Sequence, residues 1–158
     1  TTSAMLSVAL RDAGEDLTAV IGGDVVDFPS GGNAMVGEGR RFVLEADEYD
    51  GMFLGLRPLV AVVTNVEWEH VDVYASEAET REAFLSFARS LRPGGLLLVC
   101  GDDVGARQIT ASLQSGDAAE LSERGTRAVM TYGTEPGCDW QAVGLTPNIE
   151  GGTDFVVV

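Results

Sequence analysis

Two apolar segments of the 158-residue chain run into clusters of groups able to hold a cation or move a proton. Residues 42–46 lead into Glu45, Asp47, Glu48 and Asp50; residues 59–64 lead into Asn65, Glu67, Glu69, His70 and Asp72. His70 is the sole histidine of the chain. Several carboxylates with one imidazole form a donor set suited to a divalent cation. The spacing leaves plainer readings open, because an acidic cluster after a strand is commonly a solvated loop and a lone histidine commonly a cap or surface residue.

The elements that would carry these clusters are strands of an α/β domain. Neither apolar segment alternates in polarity, which predicts strands of a parallel sheet covered on both faces. Ligands of such sheets collect beyond the carboxyl ends of the strands, so parallel strands would bring both clusters to one edge. A first helix is expected to about Arg11, capped by Thr2 or Ser3, with Met5, Leu6, Ala9 and Leu10 apolar and Gly14 as its stop. LTAVIGG follows as a short buried strand, and the glycine-rich residues 22–40 read as a long connection.

Ser76 and Glu79 form a capping box ahead of a helix with Phe84, Phe87, Ala88 and Leu91 on one stripe, ended by Pro93, Gly94 and Gly95. Residues 95–100 give another strand, 104–113 a helix, 114–126 a polar surface stretch and 127–132 a fifth strand. DWQAVGL and TDFVVV flank PNIEGG as an antiparallel hairpin. The fold class is therefore α/β, a mainly parallel sheet flanked by helices with a small antiparallel appendage at the C-terminal end.

The formal net charge is −15, with 25 acidic residues against 10 basic ones, all of them arginine. Such a surface repels nucleic acid phosphates and anionic membranes, so neither is expected as a partner. The apolar runs LVAVV and GLLLVC are too short to span a bilayer, and no charged segment precedes an apolar signal-like stretch. Cys100 and Cys138 lack motif spacing; Cys100 reads as a small core residue, and the pair suits a reducing cytoplasm.

The strings themselves carry more than their composition. EADEYD, MFLGLRP and VAVVTNVEWEHVD occur here in order, followed by the capped helix, PGGLLLVCGDD and the Tyr132-Gly133 pair. TTSAML, VIGGD and GGNA precede them. Together they resemble the central domain of the Mur ligases, the ATP-dependent enzymes that add amino acids to peptidoglycan precursors, over most of residues 1–133. The resemblance is nearest to the branch that adds L-alanine. It implies a P-loop NTPase-like fold, ATP and Mg2+ as cofactors, UDP-N-acetylmuramate and L-alanine as substrates, and a cytoplasmic location.

Residue by residue, Glu45 matches the carboxylate that holds the magnesium bridging the ATP phosphates, and His70 matches the ligand of a second metal. Thr1, Thr2 and Ser3 match the positions just after the lysine and threonine of the family's GTHGKT loop, and Asn65 matches its Thr-Asn pair. Asp47 and Glu48 are expected as outer partners or as simple solvated groups. Glu69 stands where relatives usually carry aspartate, and Met35 where many carry arginine.

Residues 1–158 are thus expected to be a partial central domain. It is expected to lack the phosphate loop and the flanking sugar-nucleotide and C-terminal domains, and alone it should be inactive. The branch that recycles murein tripeptide shares EADEYD but usually has a longer insertion before the following Arg-Pro. A non-catalytic nucleotide- or metal-binding relative, or an acidic protein-interaction surface, are the alternatives of other classes.

Overall fold

The structure is a computed structural model, and it describes residues 1–115 and 128–158. It divides into two compact units, Thr1–Asp47 and Glu48–Val158.

The first unit opens with helix α1 (Thr2–Asp12), followed by strands β1 (Leu17–Val20), β2 (Ala34–Met35) and β3 (Arg41–Leu44). Thr1 occupies the cap position of α1 without a side-chain capping bond, so neither Thr2 nor Ser3 is the cap; both lie inside the first turn. The helix ends as its sequence predicts. Gly14 takes a left-handed φ of 87°. It donates to the carbonyl of Arg11 while Glu15 donates to that of Leu10, the double closure that a glycine past the helix end permits. Met5 and Leu6 are exposed, and α1 packs instead through Ala4 and Val8 against Ala19, Ile21, Val25 and Phe28. The sheet order is β2-β1-β3, with β1 and β3 parallel and β1 and β2 antiparallel. The glycine-rich connection thus contains a short strand that its composition concealed.

The second unit holds a 3-10 helix (Tyr49–Gly55), β4 (Val60–Val63), α2 (Glu77–Arg89), β5 (Leu96–Cys100), α3 (Val104–Ser115), β6 (Ala128–Gly133), β7 (Trp140–Pro147) and β8 (Thr153–Val157). Its sheet runs β4-β5-β6-β7-β8, parallel as far as β7, with β8 antiparallel at the end. The hairpin β7–β8 is the small antiparallel appendage expected at the C-terminal end, and β7 joins it to the parallel sheet beside β6 at Tyr132 and Trp140. Most of the expected polar stretch 114–126 lies outside the described residues.

Within the second unit, Ala61, Val63, Leu97 and Val99 are buried beneath α2 and α3, whereas Val60 and Val62 are 51% and 40% exposed. The reason is topological. The strand order β4-β5-β6 advances in one direction, and parallel crossovers of the usual right hand would set α2 and α3 on the same face, where they pack together. In addition, β3 and β4 belong to separately hydrogen-bonded sheets, so a shared sheet edge for the two polar clusters does not follow from strand pairing.

Candidate metal and phosphate residues

Glu45 follows β3 directly, its amide donating to the carbonyl of Val20 at 2.9 Å, so the parallel pair β1 and β3 fixes where its side chain leaves the sheet. One carboxylate oxygen, Oε2, is buried without a hydrogen-bond partner. A buried acceptor left unpaired costs on the order of 1–3 kcal/mol, so it is a place where a positively charged ligand would be stabilised. Glu45 therefore fits a cation-binding role.

His70 lies in the second unit, in the loop after β4. Among the described residues it alone, apart from glycines, has a left-handed backbone, with φ of 52°. Histidine tolerates this better than most residues, yet the conformation costs of order 1 kcal/mol and has to be held by its surroundings. The holding contacts are visible: the His70 carbonyl accepts from Val73 at 2.8 Å and from Tyr74 at 2.9 Å. Trp68 Nε1 donates to the Tyr74 carbonyl at 3.0 Å, and the buried Tyr74 hydroxyl donates to the Glu48 carbonyl at 2.6 Å. Trp68 is thus a brace of this loop, though its ring stays half-exposed.

This bracing brings Glu48, Glu69 and His70 together, one ligand atom from each lying within 4.8 Å of the others. His70 Nε2 and Glu48 Oε1 are 3.5 Å apart, too long for a strong hydrogen bond. The Tyr49 ring meets the imidazole edge-on at 5.1 Å, and its hydroxyl donates to Asp72 at 3.0 Å. Nitrogen and oxygen donors at such separations form a set a divalent cation can use. Sequence reasoning singled out His70 but treated Glu48 as an outer partner and Glu69 as a mild departure; the loop fold brings both beside the imidazole.

The remaining candidates are less engaged. Thr1 and Thr2 are exposed, and the Ser3 carbonyl accepts from the buried Ser7 hydroxyl at 2.8 Å. Asn65 is exposed, its Oδ1 accepting from the Thr64 hydroxyl at 3.1 Å. Asp47 is exposed. Cys100 is half-buried, and burial pushes the Cys138 thiol up from its ordinary value. No helix among the described residues is long and apolar enough to cross a membrane.

Residues 1–155 match the family model of the Mur ligase middle domain. The likeness thus extends past residue 133, where the sequence motifs fade, into the hairpin. The UDP-N-acetylmuramate–L-alanine ligase of Frankia alni is 52% identical over 146 residues, which cover 90% of this chain and 23% of that protein. Among solved structures, the UDP-N-acetylmuramate:L-alanyl-gamma-D-glutamyl-meso-diaminopimelate ligase of Neisseria meningitides superposes with a TM-score of 0.74 at 26% identity, covering 99% of this chain and 48% of that one. The UDP-N-acetylmuramate-alanine ligase of Thermotoga maritima shares the fold, with a TM-score of 0.69 at 23% identity over 93% of this chain and 29% of that one. The chain spans about a quarter of the length of the curated relatives it matches.

Proposed function

The chain belongs to the Mur ligase middle-domain family, and on that footing we propose that it is part of a longer ligase that uses ATP to join UDP-N-acetylmuramate to L-alanine in peptidoglycan precursor synthesis. The single observation that carries this reading is the 52% identity to an L-alanine ligase over 90% of the chain. The tripeptide-adding ligase of Neisseria supports a second reading through its TM-score of 0.74, but at half that identity. The short segment between EADEYD and Arg57-Pro58 also favours the L-alanine branch.

The chemistry assigned to the intact enzyme proceeds in two steps. The muramate carboxylate attacks the γ-phosphorus of ATP, forming an acyl phosphate and releasing ADP. The amine of L-alanine then adds to the acyl carbon, and phosphate leaves with the C–O bonding electrons as the amide forms and the amine gives up its proton. Phosphorylation turns a poor leaving oxygen into a good one; the protein contributes position and charge stabilisation.

Magnesium, when bound, neutralises phosphate charge so that one anion can approach another. In this reading Glu45 holds one such ion through the oxygen that has no protein partner. His70, with Glu48 and Glu69 beside it, holds a second. The first turn of α1, at Thr1, Thr2 and Ser3, supplies backbone N–H groups for ATP phosphate, and Asn65, in the same loop as His70, either contacts the nucleotide or orients that loop. A surface of net charge −15 makes such cations the natural means of accepting an anionic nucleotide.

The test is product identity. Full-length enzyme supplied with Mg·ATP, UDP-N-acetylmuramate and equal L-alanine and L-Ala-γ-D-Glu-meso-diaminopimelate should make the alanyl product almost alone, as read by mass spectrometry. Dominant tripeptide product would move the chain to the recycling branch, and no product with either amine would overturn the ligase reading.

A further inference from the structure

After its last ladder residue, Val63, strand β4 leaves the sheet, and the backbone N–H groups of the loop need new acceptors. For Val66 the acceptor comes from far along the chain: Asp103 Oδ1, at 3.1 Å. The same oxygen accepts from Ala106 at 2.7 Å, the bond by which Asp103 caps helix α3. One carboxylate oxygen therefore ties the N-terminus of α3 to the loop carrying Asn65, Glu67, Glu69 and His70.

A second contact makes the junction tighter. A Cβ on Gly105 would lie 2.1 Å from the Val66 carbonyl oxygen and 2.9 Å from Val66 Cβ, so only glycine lets the loop backbone come this close to the helix. The anchor is rigid on its helix side, because Ala106 and Ile109 are fully buried in the core under β5. On the far side the loop is held by the turn at His70 and by Tyr74. Residues 67–70 are thus suspended between two fixed points, Val66 and Tyr74.

We propose that Asp103, with Gly105, is a positioning residue for the His70 loop: by fixing Val66 it sets where His70 Nε2 stands relative to the carboxylates of Glu48 and Glu69, and thereby the affinity of that group for a divalent cation. The inference rests on the reading of His70 as a metal ligand. Capping alone needs only the Ala106 bond; the bond to Val66 and the glycine clearance are what a loop-positioning role requires. Outer groups that orient ligands in this way are worth about 10–100-fold in metal affinity.

The experiment is titration of full-length ligase with Mn2+ alone, free ion being read by electron paramagnetic resonance, for the wild type, His70→Ala, Asp103→Asn, Asp103→Ser and Gly105→Ala. Asp103→Asn keeps an oxygen that accepts both N–H groups and should bind within about twofold of wild type. Asp103→Ser still caps α3 but is too short to hold Val66, and Gly105→Ala keeps the cap while pushing Val66 away; each should weaken binding on the order of tenfold. If His70→Ala loses affinity while Asp103→Ser and Gly105→Ala bind as wild type does, the positioning role is overturned and the metal reading stands. If His70→Ala itself binds like wild type, the metal reading falls and this inference with it.

Discussion

Gly22 lies against the carboxylate of Glu45: a Cβ at Gly22 would sit 3.0 Å from Glu45 Oε1. The glycine after β1 thus leaves room for the acidic side chain that follows β3, one strand over in the parallel pair. Filling that room would displace the carboxylate by a few tenths of an ångström and leave the strands paired. In the full-length enzyme, Gly22→Ala should raise the Mg2+ concentration for half-maximal activity several-fold, roughly 1 kcal/mol of lost binding. An unchanged magnesium requirement would contradict a ligand role for the Glu45 carboxylate.

Glu45 also allows stability and function to be separated. Its buried Oε2 lacks a partner, so the fold carries a cost that a bound cation would offset. Glu45→Gln should leave thermal stability without metal equal or slightly raised, by up to about 1 kcal/mol, while lowering kcat at least about a hundredfold. Differential scanning calorimetry beside an ATPase assay checks both arms. Marked destabilisation would mean that the carboxylate is a structural group.

Tyr74 is buried and spends its hydroxyl on the Glu48 carbonyl. Tyr74→Phe leaves that carbonyl short of a donor and should cost about 1 kcal/mol. Because the bond ties the start of the 3-10 helix to the loop beyond His70, amide exchange should quicken at Gly51, Val73 and Tyr74 and remain unchanged in β5. Uniform exchange across the second unit would show that the bond is not a local brace.

Much of this scaffold was readable from the residues, and the line between what was and was not is physical. The box at Ser76 and Glu79 is present: Glu79 N donates to Ser76 Oγ at 3.3 Å, and Glu79 Oε2 accepts from Ala75, one residue earlier than the usual reciprocal partner. The Gly14 stop, the strands before both polar clusters and the hairpin around residues 148–152 were equally open to reading, because each is decided by neighbours in sequence. The exposure of Val60 and Val62 was not, since a non-alternating β4 does not mark which of its side chains face the helices. Nor was the link from Asp103 to Val66. The aspartate one position before α3 is a cap signal, but its second partner lies across the sheet connection and no local pattern announces it.

One acid-sensitive contact lies where the loops after β5 and β6 meet. Asp102 accepts from the backbone amides of Glu135 and Thr134 and from the Thr134 hydroxyl, and these bonds hold its carboxyl below the ordinary aspartate range. A folded-state value below the unfolded one means that the stabilisation is complete above the unfolded value, about pH 4, and is lost only as pH falls through the lower folded value. Carboxyl NMR titration should show Asp102 protonating below typical aspartates, with amide protection of Thr134 and Glu135 falling in step. Asp102→Asn should remove that pH dependence, whereas titration of Asp102 at or above the ordinary range would contradict it.

The central claim, that His70 serves ATP-driven amide formation, is tested most directly by phosphate release from full-length enzyme, wild type beside His70→Ala. The account predicts release that requires UDP-N-acetylmuramate, L-alanine and Mg·ATP together and that falls at least about a hundredfold in the variant, a barrier increase of ~2.7 kcal/mol. Release that continues at the wild-type rate in His70→Ala, or that proceeds without L-alanine, would contradict it.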